Sequence, residues 1–84
     1  MADYYPLISK AVSGFSNAQD RRRLYERGRS TLMTELRGLK PPLSEATIAK
    51  ERLAFEQAIR KVEAEEARRA QESAKDTLSN SNGN

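Results

Sequence analysis

The chain has 84 residues, with 15 Lys or Arg against 12 Asp or Glu, a net charge of +3, and neither cysteine nor histidine. That length holds one small domain with a thin core. The missing residue types exclude disulfides, thiol catalysis and the usual zinc sites, and leave any proton chemistry near neutral pH to a strongly shifted carboxylate or lysine.

The hydrophobic share is 37% and the charged share 32%, a balance that suits amphipathic helices. No apolar run approaches the ~18 residues that mark a membrane span. The opening MADYYPLISKAVSG lacks the cationic lead of a secretory signal and the second-position glycine that myristoylation needs. The expected compartment is the cytoplasm.

The first predicted element covers about 3–13. Asp3 is placed to cap it, and Pro6 is tolerated in a first turn whose N–H groups have no intrahelical partners. Tyr4, Ile8, Ala11 and Phe15 recur at helical spacing, Leu7 and Val12 widen the stripe, and Gly14 follows as a stop. So short a helix must dock to persist. Tyr4 and Tyr5 are read as its anchors on a core.

The second element covers about 17–38. Asn17 is its N-cap, with Asp20 three residues on. Leu24, Tyr25, Gly28, Leu32, Leu36 and Leu39 share one side. Gly38 is expected to end the helix in the left-handed conformation, and Pro41 and Pro42 forbid its continuation.

The third element, about 45–73, starts at Ser44 as N-cap, with Leu43 and Ile48 placed as a hydrophobic staple. Its stripe runs Ile48, Phe55, Ile59 and Val62, with Ala58 beside it, and fails at Glu66. Glu56 with Arg60, and Glu65 with Arg69, stand four apart in the favourable order for pairs within the helix. The polar residues 73–84 read as a disordered tail after a single helical domain over 1–72.

The expected fold is therefore all-α: an antiparallel hairpin with a short N-terminal helix packed on it, a small three-helix unit. Folded about the prolines, residues whose numbers add up to about 84 lie level, so Leu36 meets Ile48, Tyr25 meets Ile59 and Gly28 meets Phe55. Glycine in mid-helix costs about 1 kcal/mol against alanine, and a hole for the Phe55 ring accounts for it. Leu32 lies level with Glu51 and Arg52, so the first helix is expected to cover that side and bring Leu7, Ile8 and Val12 to the seam.

No glycine-rich phosphate loop, nucleophile–base pair or metal-ligand cluster stands out, so no catalytic residue and no cofactor is expected. Two functional readings remain. The leading one is a non-enzymatic module for protein–protein interaction or self-association. Its candidate partner surface comprises Met33, Leu53, Arg60 and Glu66, because Leu53 falls on the far side of the third helix and the polar extension beyond Val62 has little to bury.

The alternative is a nucleic-acid-binding accessory protein that uses Arg21, Arg22, Arg23, Arg27 and Arg29. These arginines scatter around most of the helix circumference, which favours a solvated face, some of it pairing with acids of the third helix.

The segments YYPLISKAV, RRRLYERGRSTL and PPLSEATIAKERLAFEQAIRKVEAE together resemble a recurring module of alphaproteobacterial, Rhizobiales-type proteins of unknown function. The resemblance spans roughly residues 3–66 and implies a bacterial source. Relatives of that kind often continue into a polar linker and sometimes a membrane segment, whereas this sequence ends in a short polar stretch. The resemblance carries no activity.

Overall fold

The computed structural model describes residues 3–82, with side chains described for 3–74. Three helices follow in order: α1 (Tyr5–Ala11), α2 (Ala18–Arg37) and α3 (Glu45–Asn82). The described residues contain no strand. The shape is elongated, 66 × 20 × 15 Å.

Each helix starts where its local chemistry directs. The N-cap of α1 is Tyr4, whose side chain makes no capping bond; Asp3, expected as the cap, stands one position earlier and its carboxylate accepts the Tyr5 N–H at 3.1 Å, while Pro6 sits in the first turn. Asn17 caps α2 by accepting the Gln19 N–H at 2.8 Å. Ser44 Oγ accepts the Thr47 N–H at 3.1 Å and shares a hydrogen bond with the Thr47 hydroxyl. Threonine thus serves at the position where a capping box ordinarily carries Glu.

Gly38 departs from expectation. Its φ of −88° is right-handed, and no glycine among the described residues has positive φ. The Gly38 N–H is already satisfied by the carbonyls of Thr34 and Glu35, so a tightened last turn closes α2 without a left-handed residue.

The end of α3 also lies beyond the expected boundary near 73. Its backbone stays helical to Asn82. Ala, Glu, Arg, Gln and Lys dominate residues 64–75, and no Gly or Pro interrupts the chain between Pro42 and Gly83. Helix propensity favours residues 64–75, beyond the end of the apolar stripe. At about 57 Å, α3 is nearly twice as long as the ~30 Å of α2.

Helix α3 is the spine, and α1 and α2 both pack against it. The buried apolar residues are Ile8 and Val12 from α1 and its C-cap, Tyr25 from α2, and Ile48, Phe55, Ala58, Ile59 and Val62 from α3. The whole anticipated stripe of α3 is therefore core. From α1 only Ile8 and Val12 reach the seam. Leu7, expected there too, is 66% exposed, and Phe15 is 40% exposed. Leu7 and Ile8 are adjacent, and a helix this narrow cannot turn both onto one line of contact.

The hairpin register agrees with the sequence. Arg21 pairs with Glu63, Arg29 with Glu56 and Arg37 with Glu45, so the residue numbers of each pair add up to about 84. Gly28 faces Phe55: a Cβ built on the glycine would lie 2.9 Å from Phe55 Cζ. The missing side chain is what lets the ring sit against α2.

Candidate docking groove and the polar ties that shape it

Four glutamates flank the apolar stripe of α3, and each holds a side chain from another helix. Glu51 accepts from Tyr4 Oη at 2.6 Å, and Glu65 accepts from Tyr5 Oη. Glu56 takes Arg29 through both of its oxygens. Glu63 takes Arg21 likewise, at 2.7 and 3.2 Å, and also accepts from Tyr25 Oη at 2.5 Å.

The Arg21 tie reaches furthest. This arginine is 7% exposed, and its Nη1 also donates to the carbonyls of Phe15 (3.2 Å) and Ser16 (3.0 Å). One guanidinium therefore fixes the α1–α2 connection, α2 and α3 together. Its planar fork of donors allows this, where a lysine ammonium would satisfy fewer partners.

The ionisation of these groups follows from the same contacts. The Arg21 hydrogen bond holds the Glu63 carboxyl below the usual carboxylate range, and Arg29 does the same to Glu56. Burial, with the hydrogen bond to Glu51 second, pushes the Tyr4 hydroxyl up to about 12. Burial and then Glu63 push Tyr25 up as well, and the hydrogen bond to Glu65 raises Tyr5. Two further contacts seat α1: the Tyr4 ring meets Phe55 edge-on at 5.5 Å, and Lys61 Nζ lies 4.3 Å from the centroid of the Tyr5 ring.

These ties displace the pairs expected within α3. Glu56 is bonded to Arg29 rather than to Arg60, Glu65 to Tyr5, and Arg69 to Glu66 at 3.1 Å. For Glu56 and Glu65 a contact between helices, with better-fixed geometry than two flexible chains on one exposed face, prevails, while Arg69 pairs one turn away within α3.

Held this way, α1 and α2 leave an open groove between them, with Phe55 of α3 as its floor. Its volume is about 380 Å³. Leu7, Ile8 and Ala11 form one wall, while Leu24, Gly28 and Leu32 form the other. Arg27, Thr31 and Glu35 stand along its outer edge. The apolar lining suits the apolar face of a helix or a row of aliphatic side chains.

The residues singled out from sequence are distributed differently. Met33 and Leu53 share a second groove of about 310 Å³, on a face where Arg37 is paired with Glu45 and Glu56 with Arg29. Leu53 is 54% exposed. Arg60 is exposed on α3, and Glu66 is half-buried and tied to Arg69; neither lines that groove. Of the five arginines considered for nucleic acid, Arg21 and Arg29 are held by α3 carboxylates, and Arg22, Arg23 and Arg27 are exposed. Arg23 and Arg27 are four apart and share a side of α2, while Arg22 points elsewhere.

Sequence reading missed the α1–α2 groove. The available signal was Leu7, an apolar residue beside a stripe already complete without it.

Among the described residues no group of acidic side chains is arranged to hold a metal, and no helix is long and apolar enough to cross a membrane. Compared with known proteins, the chain matches no family model, no curated protein and no solved structure.

Proposed function

We propose that the chain is a non-enzymatic helical interaction module that acts in the cytoplasm and binds an apolar helical segment in the groove between α1 and α2. The observation that carries this reading is the groove itself: an apolar channel floored by Phe55, with Leu7 standing 66% exposed on its wall. A small domain gains nothing in stability from leaving a leucine uncovered beside its own core, whereas a bound segment would bury it. The Met33–Leu53 face is the weaker candidate, because three of the charged residues lining it are already engaged within the chain and offer a partner less to read.

The test is site-specific cross-linking. A photo-reactive residue is placed at Leu7 or at Leu53 in the full chain, which is then expressed in its host. Adducts from position 7, and few from position 53, are expected. No adduct from position 7, or equal yields from both, would refute the assignment of the groove.

A further inference from the structure

We propose that the groove is covered by the same face of a second copy of this chain, the two α2 helices running antiparallel about a two-fold axis that passes between them at the level of Thr31. This rests on the groove reading above and names its occupant.

The reasoning starts from the charges. Along α2, Arg21, Arg29 and Arg37 are each paired with a carboxylate of α3. The two charged residues that line the groove, Arg27 and Glu35, make no ion pair among the described residues. They are eight positions apart, about 12 Å along the helix. Charges on one helix meet at separations of three or four, so these two cannot neutralise each other within one chain.

Leu24, Arg27, Thr31 and Glu35 follow at steps of three, four and four, which places them on a single edge of α2. Thr31 is the midpoint between the two charges. An isologous interface must be self-complementary, and a two-fold axis at this midpoint satisfies that. Arg27 of each copy then faces Glu35 of the other, giving two ion pairs from one pattern. Leu24 falls level with Gly38 of the second copy, where no side chain opposes it.

A parallel arrangement would instead set Arg27 against Arg27 and Glu35 against Glu35. An unrelated helix would fit only if it carried an acid and a base at this same separation in reverse order, a pattern that α2 already possesses.

The experiment uses the full chain and three variants, Arg27→Glu, Glu35→Arg and Leu53→Glu, with sedimentation equilibrium as the readout. Circular dichroism confirms helix content; both groove charges are exposed, so their reversal leaves the fold intact. The unaltered chain should dimerise. Each groove reversal turns both intermolecular attractions into repulsions and should weaken the dimer by roughly ten-fold or more. An equimolar mixture of the Arg27→Glu and Glu35→Arg chains should dimerise again, because each then presents the charges the other needs.

A chain that stays monomeric at millimolar concentration overturns the proposal. So does a mixture that fails to restore association, or a dimer indifferent to both reversals but broken by Leu53→Glu. Cross-links from position 7 to a different protein, with a monomeric chain, would overturn self-pairing while leaving the groove as a binding site.

Discussion

Gly28→Ala is the sharpest test of the packing described here. In a helix interior the substitution ordinarily stabilises by about 1 kcal/mol. Here the added methyl would lie 2.9 Å from Phe55 Cζ, closer than atoms in contact tolerate. The ring cannot swing away freely. It is 7% exposed, Tyr4 packs edge-on against it, and Tyr4 is itself held by Glu51. Overpacking of this kind costs about 1–3 kcal/mol. Set against the propensity gain, the net effect ranges from near zero to a loss of about 2 kcal/mol, and for a domain of this size each 1 kcal/mol shifts the thermal midpoint by about 4–8 °C.

The decisive measurement is a double-mutant cycle followed by thermal or urea unfolding. Phe55→Leu alone should destabilise by leaving a void beside the glycine. In that background Gly28→Ala should become stabilising by about 1 kcal/mol, since the clash has gone and only the propensity gain remains. If the alanine raises stability equally in both backgrounds, Gly28 is not a socket for Phe55 and the register argument fails with it.

Arg21→Lys should lower stability by about 2 kcal/mol in urea unfolding: removing one partner of a fully buried pair costs 3–5 kcal/mol, and Glu63, with 37% of its side chain exposed, keeps water and Tyr25 as substitutes. Acid should act through Glu56 and Glu63. Both have folded values below their ordinary 4.5, so the stability they confer is complete above 4.5 and is lost as pH falls below it and through their lower folded values; Glu63→Gln should flatten this acid limb of the midpoint-versus-pH curve. Alkali should act in the opposite sense through the tyrosines. Tyr4 is raised from 10.0 to about 12, so its contribution is complete below pH 10 and fades between pH 10 and 12, and Tyr4→Phe should shift this alkaline loss in the same curve. Short duplex DNA should not be retained at physiological salt in a gel shift, because among the described residues only Arg22, Arg23 and Arg27 of the five candidate arginines are free of carboxylate partners, a count that gives that helix a salt slope no steeper than about −3.

The elements and their starts were readable in the sequence because their causes are local. Asn17 and Ser44 cap through bonds to residues two and three positions on, which any reading of the sequence can weigh. The hairpin register was readable for a different reason. The prolines fix the turn, and a glycine facing a phenylalanine fixes the level. What local rules did not reveal is everything decided by competition between helices. The four-residue spacing of Glu56 and Arg60 is real, yet Arg29 on α2 reaches Glu56 with a fixed fork and displaces that pair. Arg21 looked like one of a surface run of three arginines; its burial depends on Glu63, 42 positions away, together with two carbonyls of the preceding connection. Leu7 looked like core because it neighbours Ile8, and only the angle at which α1 meets α3 turns it outward.

This division of charges bears directly on the proposed pairing. Where α2 faces α3, Arg21, Arg29 and Arg37 are matched one to one with glutamates and Tyr25 supports the carboxylate of Glu63, so that seam is closed and specific. Where α2 faces the groove, Arg27 and Glu35 have no ion-pair partner among the described residues and the adjoining walls are apolar. Had the groove served only as a gap in a small core, either charge would be equally acceptable at either end, and lysines or serines would keep it soluble as well. Opposite charges at equal distances from Thr31 instead form a pattern that, rotated by half a turn, sets each charge against its opposite. Within a monomer that symmetry has no structural consequence; across a two-fold interface it fixes both orientation and register.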